Sequence, residues 1–124
     1  NIATEILFTS CGTESDNAAI LSALATQNNR RKIIPSRIEH PAVLSLCKEL
    51  ERHNYEIVTI GVDDRGRISP DDFRKAVDEN TAIVSVMWAN NEIGNINKSY
   101  TVGSVVKAAT ISVGYKYNVI ELCY

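Results

Sequence analysis

Short apolar runs alternate with longer segments of helical periodicity along most of the chain. Four apolar runs predict strands, at residues 5–9, 32–36, 55–60 and 81–88. The second contains Pro35, which weakens a strand, and the fourth is almost continuously apolar, as expected for a strand that is buried on both faces. The sequence therefore predicts a sheet with at least one fully covered strand.

Between these runs, apolar residues recur every three or four positions and predict helices. One helix is expected at residues 13–26, a second begins at His40-Pro41, and a third begins at Ser69-Pro70. The predicted apolar face of the first helix consists of Ala18, Ala19, Leu21, Leu24 and Ala25. Regular strand and helix alternation predicts an α/β fold of three layers, a mainly parallel sheet with right-handed crossovers and helices on both faces.

The pattern changes near residue 94. Residues 95–124 hold 4 of the 28 charged residues and 4 of the 5 tyrosines, and the amphipathic periodicity fades. A helix at 102–109 and a strand at 111–117 are the best available predictions. We therefore expect residues 1–94 to form part of one α/β domain and residues 95–124 to form a divergent tail.

Composition narrows the class of protein. The 124 residues carry a net charge of −2 and have a pI near 5.7, which favours neither nucleic acid nor an acidic membrane as partner. Three cysteines without a CxxC motif indicate a reducing compartment, and we expect a cytoplasmic protein. The chain starts within an apolar stretch and without Met, which suggests a partial chain.

Candidate chemistry follows three predicted strands, where an open parallel sheet binds its ligands. Gly12 and Thr13 begin a helix, so their backbone N–H groups and the Thr13 hydroxyl could bind a phosphate, or they could simply form a turn and a cap. His40 could stack on a planar cofactor, act as acid or base, or cap a helix. Asn91 could donate its amide to a ligand oxygen, or it could belong to a turn.

Other polar residues give weaker indications. Asp63-Asp64 could suggest a metal or a phosphoacceptor domain of the flavodoxin-like type, but Arg65-Gly66 favours a solvated turn. Cys11 could be reactive, although we expect it to have a packing role. The two histidines have no cysteine or aspartate at ligand spacing, so no metal site is predicted.

Three segments, in order and at family spacing, resemble the cysteine desulfurases of the nitrogen-fixation type, which are fold-type I pyridoxal-phosphate (PLP) enzymes of the class V aminotransferase family. The segments are Glu5-Ile6-Leu7-Phe8-Thr9-Ser10-Cys11-Gly12-Thr13-Glu14-Ser15-Asp16-Asn17, Glu39-His40-Pro41-Ala42-Val43-Leu44, and Val84-Ser85-Val86-Met87-Trp88-Ala89-Asn90-Asn91-Glu92-Ile93-Gly94. The resemblance covers residues 5–94 and implies part of the large, PLP-binding domain.

The resemblance also implies roles. Gly12 and Thr13 would hold the PLP phosphate, His40 would stack on the pyridine ring and aid proton transfer, and Asn91 would bind the phenolic oxygen. The implied reaction removes sulfur from L-cysteine, giving alanine and a protein-bound persulfide that passes to an acceptor or scaffold protein for iron–sulfur cluster assembly. The family is homodimeric.

The sequence also departs from the family. The aspartate that pairs with the pyridine nitrogen, the Ser-Gly-His-Lys segment with the Schiff-base lysine, and the loop with the nucleophilic cysteine are absent from these 124 residues. We therefore expect this chain alone to be inactive. The alternative is a non-enzymatic α/β module that binds phosphate or another anion through Gly12 and Thr13.

Overall fold

Three helices and five strands make up the part of the chain that the computed structural model describes, which comprises residues 7–27, 29–89, 109–111 and 118–123. The helices are α1 (Gly12–Thr26), α2 (Pro41–Arg52) and α3 (Pro70–Ala76). The strands are β1 (Lys32–Pro35), β2 (Glu56–Ile57), β3 (Thr81–Ala89), β4 (Ala109–Ile111) and β5 (Asn118–Cys123).

All five strands join one sheet, in the order β2-β1-β3-β5-β4. The first four in this order are parallel, and β4 runs antiparallel to β5. Helix α2 connects β1 to β2, whereas α3 connects β2 back across β1 to β3, so the two connections run in opposite directions along the sheet. Crossovers of one hand that run in opposite directions place their helices on opposite faces.

The two faces of the sheet bury separate apolar clusters. On one face α1 and α2 pack around Ile33 and Ile83, and on the other α3 packs near Ile34 and Val84. Successive residues of β1 and β3 therefore point into different clusters, as the period of two in a strand requires. This arrangement confirms the predicted three-layer α/β fold with a mainly parallel sheet.

Strand β2 is shorter than predicted. The run at 55–60 yields a two-residue strand, followed by an isolated bridge between Ser36 and Ile60. Pro35 has no backbone N–H, while its carbonyl oxygen accepts a hydrogen bond from the Ile60 N–H at 2.9 Å. Because both backbone groups of a strand residue face the same neighbour, the missing donor leaves the β2 side one bond short.

Two predictions differ from the structure at the residues that it describes. Residues 7–9 form no strand, because they pair with no strand among the described residues. The side chains of Leu7 and Phe8 are 74% and 90% exposed. Ala109, expected to end a helix, begins β4, which is paired with β5. Residues 5–6, 90–108 and 112–117 of the predicted pattern lie outside the described residues.

The apolar face of α1 also differs from the predicted one. Its buried apolar residues are Ala19, Ile20, Ala23 and Leu24. Leu21, which was expected to be buried, is 46% exposed. Within the described residues, none of the helices has the length and apolar character needed to cross a membrane.

Candidate functional site

Strands β1 and β3 are parallel neighbours in the middle of the sheet, so their carboxyl ends lie toward the same edge, and β3 continues to Ala89, beyond the residue that pairs with the end of β1. Pro35 is paired with Ser85, and the Ser36 N–H donates to the Ser85 carbonyl oxygen at 2.9 Å. The chain therefore leaves β1 and β3 at the same edge. This is the edge at which parallel α/β sheets bind ligands.

Helix α1 begins without a side-chain cap. Its N-cap residue, Cys11, has an extended backbone and makes no side-chain cap hydrogen bond. Gly12 and Thr13 follow in the first turn, whose N–H groups lack partners within the helix. Such N–H groups, together with the helix dipole, favour an anion.

Glu14 fixes the loop before α1. Its Oε2 atom accepts hydrogen bonds from the Ser10 backbone N–H at 2.7 Å and from the Ser10 hydroxyl at 2.5 Å. These two donors lower the pKa of Glu14, so the carboxylate is well maintained at neutral pH. The Glu14 side chain, which belongs to α1, therefore fixes the loop that precedes Gly12 and Thr13.

Cys11 is exposed, which overturns its expected packing role. The backbone N–H of Glu14, the Ser10 hydroxyl and the Thr13 N–H lower the pKa of the thiol. These groups favour negative charge near the start of α1, although none of them forms a side-chain cap with Cys11.

His40 caps α2. Its Nδ1 atom accepts a hydrogen bond from the Ala42 N–H at 3.1 Å, and Pro41 occupies the first helical position. Since Nδ1 accepts, the neutral ring carries its proton on Nε2. The capping alternative is therefore correct, and the His40 ring is half-buried.

Glu39, next to His40, is only 4% exposed. Its Oε1 accepts from the Ser36 hydroxyl at 2.9 Å, whereas Oε2 has no hydrogen-bond partner within the described part of the chain. Burial raises the pKa of Glu39, against a smaller lowering by Ser36, the Met87 N–H and Ser85, and the charge of Asp16 raises it further.

The influence of Asp16 on Glu39 shows that the first turns of α1 lie close to the β1–α2 connection. The structure therefore brings the start of α1, with Gly12 and Thr13, to the same edge as His40. Asn90 and Asn91 lie outside the described residues, but the chain reaches them directly from the end of β3.

These features fit a phosphorylated planar ligand such as PLP. An uncapped helix start with a hydroxyl residue can hold the phosphate, and a histidine fixed at Nδ1 can present its ring. The described residues that the sequence singled out are therefore compatible with such a ligand.

The remaining candidates serve local structure. The Asp63 carboxylate accepts from the N–H groups of Arg65 and Arg67, both involving Oδ1, and from Arg67 Nε through Oδ2, which confirms a solvated turn. Across the residues placed by the structure, no group of three His, Cys, Asp or Glu side chains could hold a metal ion.

Sequence reasoning missed four buried polar residues at this edge: Asp16, Ser36, Glu39 and Ser85. One signal was available, because Ser85 interrupts an otherwise apolar run in β3. A polar residue buried in such a strand needs a polar neighbour, and Glu39 is the one that the fold supplies.

The chain matches a known protein family and several curated proteins. The family model described as Aminotransferase class-V matches residues 1–114. The chain is 52% identical over 106 residues to a cysteine desulfurase of Gluconacetobacter diazotrophicus, covering 85% of this chain and 26% of that protein. It is 51% identical over 92 residues to the cysteine desulfurase NifS of Azotobacter vinelandii, covering 74% and 23%.

The fold is also similar to that of solved structures. A NifS-like protein superposes with a TM-score of 0.64 at 41% identity, covering 68% of this chain and 23% of the other. DndA from Streptomyces lividans superposes with a TM-score of 0.63 at 39% identity, covering 69% of this chain and 25% of the other. The chain spans about a quarter of the length of the curated relatives it matches.

Proposed function

The chain belongs to the class-V aminotransferase family, and we propose that its protein is a PLP-dependent cysteine desulfurase. The reaction would remove sulfur from L-cysteine and leave L-alanine and a protein-bound persulfide. The observation that carries the proposal is the edge of the sheet that joins the uncapped start of α1 to the fixed ring of His40.

In this proposal each residue has a defined task. The Gly12 N–H and the Thr13 hydroxyl bind the phosphate, the His40 ring packs against the pyridine ring, and Asn91 donates its amide to the phenolic oxygen. Nε2 of His40 can hold or release a proton next to the substrate. When bound, PLP supplies an electron sink for the amino acid.

The wider proposal concerns partners and place. We propose a cytoplasmic homodimer that passes sulfur to an acceptor or scaffold protein for iron–sulfur cluster assembly. We also propose the division of the chain into a PLP-binding part at residues 1–94 and a divergent tail at 95–124.

One structural observation favours a second function. The start of α1 can bind an anion without help from His40 or Asn91. The protein could then be a non-enzymatic phosphate-binding α/β module, in which His40 only caps α2.

A PLP titration of the purified chain separates the two functions. His40→Asn keeps an N-cap acceptor but removes the aromatic ring, so PLP affinity should fall by roughly twofold to tenfold while inorganic phosphate affinity stays unchanged. Thr13→Val removes a hydroxyl and should weaken both ligands, by about tenfold. The measurement is PLP absorbance and fluorescence, with phosphate affinity obtained by competition.

The matched control is His53→Asn, at the exposed C-cap of α2. It should leave both affinities unchanged. Equal PLP affinity in the wild type and His40→Asn would contradict ring stacking and favour the phosphate module. Borohydride reduction and peptide mapping would then show whether PLP had merely reacted with scattered surface lysines.

A further inference from the structure

Glu39 occupies a junction of four elements. It follows β1, precedes α2, faces the Ser85 side chain and the Met87 N–H of β3, and senses the charge of Asp16 in α1. From α2 the Cys47 thiol also lies near it, since the Glu39 charge helps raise the pKa of Cys47. A carboxyl group at such a junction affects the placement of every element that carries the candidate site.

Two oxygens at this junction are buried without a partner. Among the described residues, Glu39 Oε2 and Ser85 Oγ each lack a hydrogen bond, although their side chains are close enough to interact. Leaving two such atoms unpaired is costly. The Ser85 hydroxyl can donate to Glu39 Oε2, which would give both atoms a partner.

The backbone links this junction to His40. The Glu39 N–H donates to the Ser36 carbonyl oxygen at 3.3 Å, and the Ser36 N–H donates to Ser85 in β3. The next residue is His40, whose carbonyl oxygen accepts from Val43 at 2.9 Å while Nδ1 accepts from Ala42. These bonds fix the backbone on both sides of the Glu39–His40 peptide, so the Glu39 side chain, which is buried against β3, lies next to the point at which the His40 ring is held.

We propose that Glu39 is a positioning residue for His40: its buried carboxyl group accepts a hydrogen bond from Ser36, pairs with the side chain of Ser85 and so holds the turn between β1 and α2 against β3. The role assigned to His40 rests on the proposed PLP function. The state of Glu39 and the orientation of the ring are properties of the protein without ligand. Burial and the charge of Asp16 raise the pKa of Glu39, because desolvation disfavours a carboxylate and Asp16 repels one.

The first test is made on the protein without PLP. With ¹³C-labelled glutamate, the Glu39 carboxyl resonance is assigned by its loss in Glu39→Gln. We expect its midpoint to lie above that of a free glutamate, because burial and the charge of Asp16 raise the pKa of Glu39. In Ser85→Ala, which removes a hydroxyl that lowers this pKa, the midpoint should move to still higher pH. A midpoint at the value of a free glutamate, or one that falls in Ser85→Ala, would overturn the proposal.

The second test reads the ring. The chain has two histidines, so imidazole ¹⁵N spectra resolve His40 and use exposed His53 as an internal reference. Glu39→Gln keeps an acceptor and a donor and should preserve the Nε2–H form of His40. Glu39→Ala should mix the two neutral forms, and the exposed control Glu51→Gln should change nothing.

The third test is PLP affinity, which should fall roughly tenfold in Glu39→Ala and be retained in Glu39→Gln. If Glu39→Ala does not fold, the carboxyl titration and Ser85→Ala still decide the matter. Glu39→Gln behaving like Glu39→Ala, or Glu39→Ala behaving like the wild type, would overturn the proposal. Failure of the wild type to bind PLP would instead contradict the proposed function and leave the spectra of the unliganded protein informative.

Discussion

At the scale of single residues, two cysteines of one chain have opposite environments. Cys11 is exposed at the start of α1, and the N–H of Glu14 with other donors lowers its pKa. Cys47 is 3% exposed in the α1–α2 cluster, and burial together with the Glu39 charge raises its pKa to about 11. Only the thiolate reacts with alkylating agents, so the two should differ strongly.

We expect iodoacetamide at neutral pH to modify Cys11 at least about a hundredfold faster than Cys47 in the folded protein. Peptide mass mapping of a timed reaction measures both rates. In denaturant the difference should largely disappear, which serves as the control. Equal rates in the folded protein would show that Cys47 is accessible.

The sequence led to Gly12, Thr13 and His40 because a helix start and a histidine before proline have recognisable spacing. It did not lead to Glu39, because a glutamate next to a turn is normally exposed. Its burial results from contacts with Asp16 and Ser85, which are far from it in the chain. Side-chain roles that depend on such contacts are outside the reach of local patterns.

At the scale of elements, boundaries were predicted well where apolar residues determine them and poorly where neighbours do. Strands β1 and β3, helix α1 and the starts of α2 and α3 lie within one or two residues of the predicted positions. In α1, however, apolar residues are spread around the helix, so periodicity alone could not select the buried face. The positions of α2 and β3 determine which face of α1 is buried.

The face of α1 gives a direct mutational test. Ile20→Ala removes a side chain that is 0% exposed and should lower the free energy of unfolding by about 2–5 kcal/mol. Leu21→Ala, one residue along, removes a side chain that is 46% exposed and should cost less than about 1 kcal/mol. Urea denaturation of both variants measures the difference. The reverse order would mean that α1 packs through its other face.

At the scale of the whole molecule, strand and helix alternation was sufficient to predict the three-layer parallel sheet. It could not predict that β5 lies next to β3 or that β4 is antiparallel to β5. These pairings join residues far apart in the chain, and the sequence after residue 94 has little periodicity. Long-range pairing of this kind depends on the sheet edge already formed.

The sheet order predicts a gradient of local stability. Strands β1 and β3 have neighbours on both sides and fully buried centres, whereas β2 has two residues at an edge. Backbone N–H groups at residues 33–34 and 83–84 should exchange with solvent at least about tenfold more slowly than those at 56–57. Hydrogen exchange followed by mass spectrometry gives this comparison, and equal protection of β2 would contradict it.

The burial of β1 and β3 on both faces bears on how sequence change would be tolerated. Sliding β1 by one position would exchange Ile33 for Ile34, so the interior scarcely distinguishes the two alignments. The polar residues at the two ends of β1 do distinguish the two alignments, because Lys32 would lose its ion pair with Asp78 and Ser36 would lose its hydrogen bond to Ser85. We therefore expect isoleucine, valine and leucine to replace one another without loss of the fold inside these strands. Replacement of the polar residues that flank the strands should instead disturb the alignment.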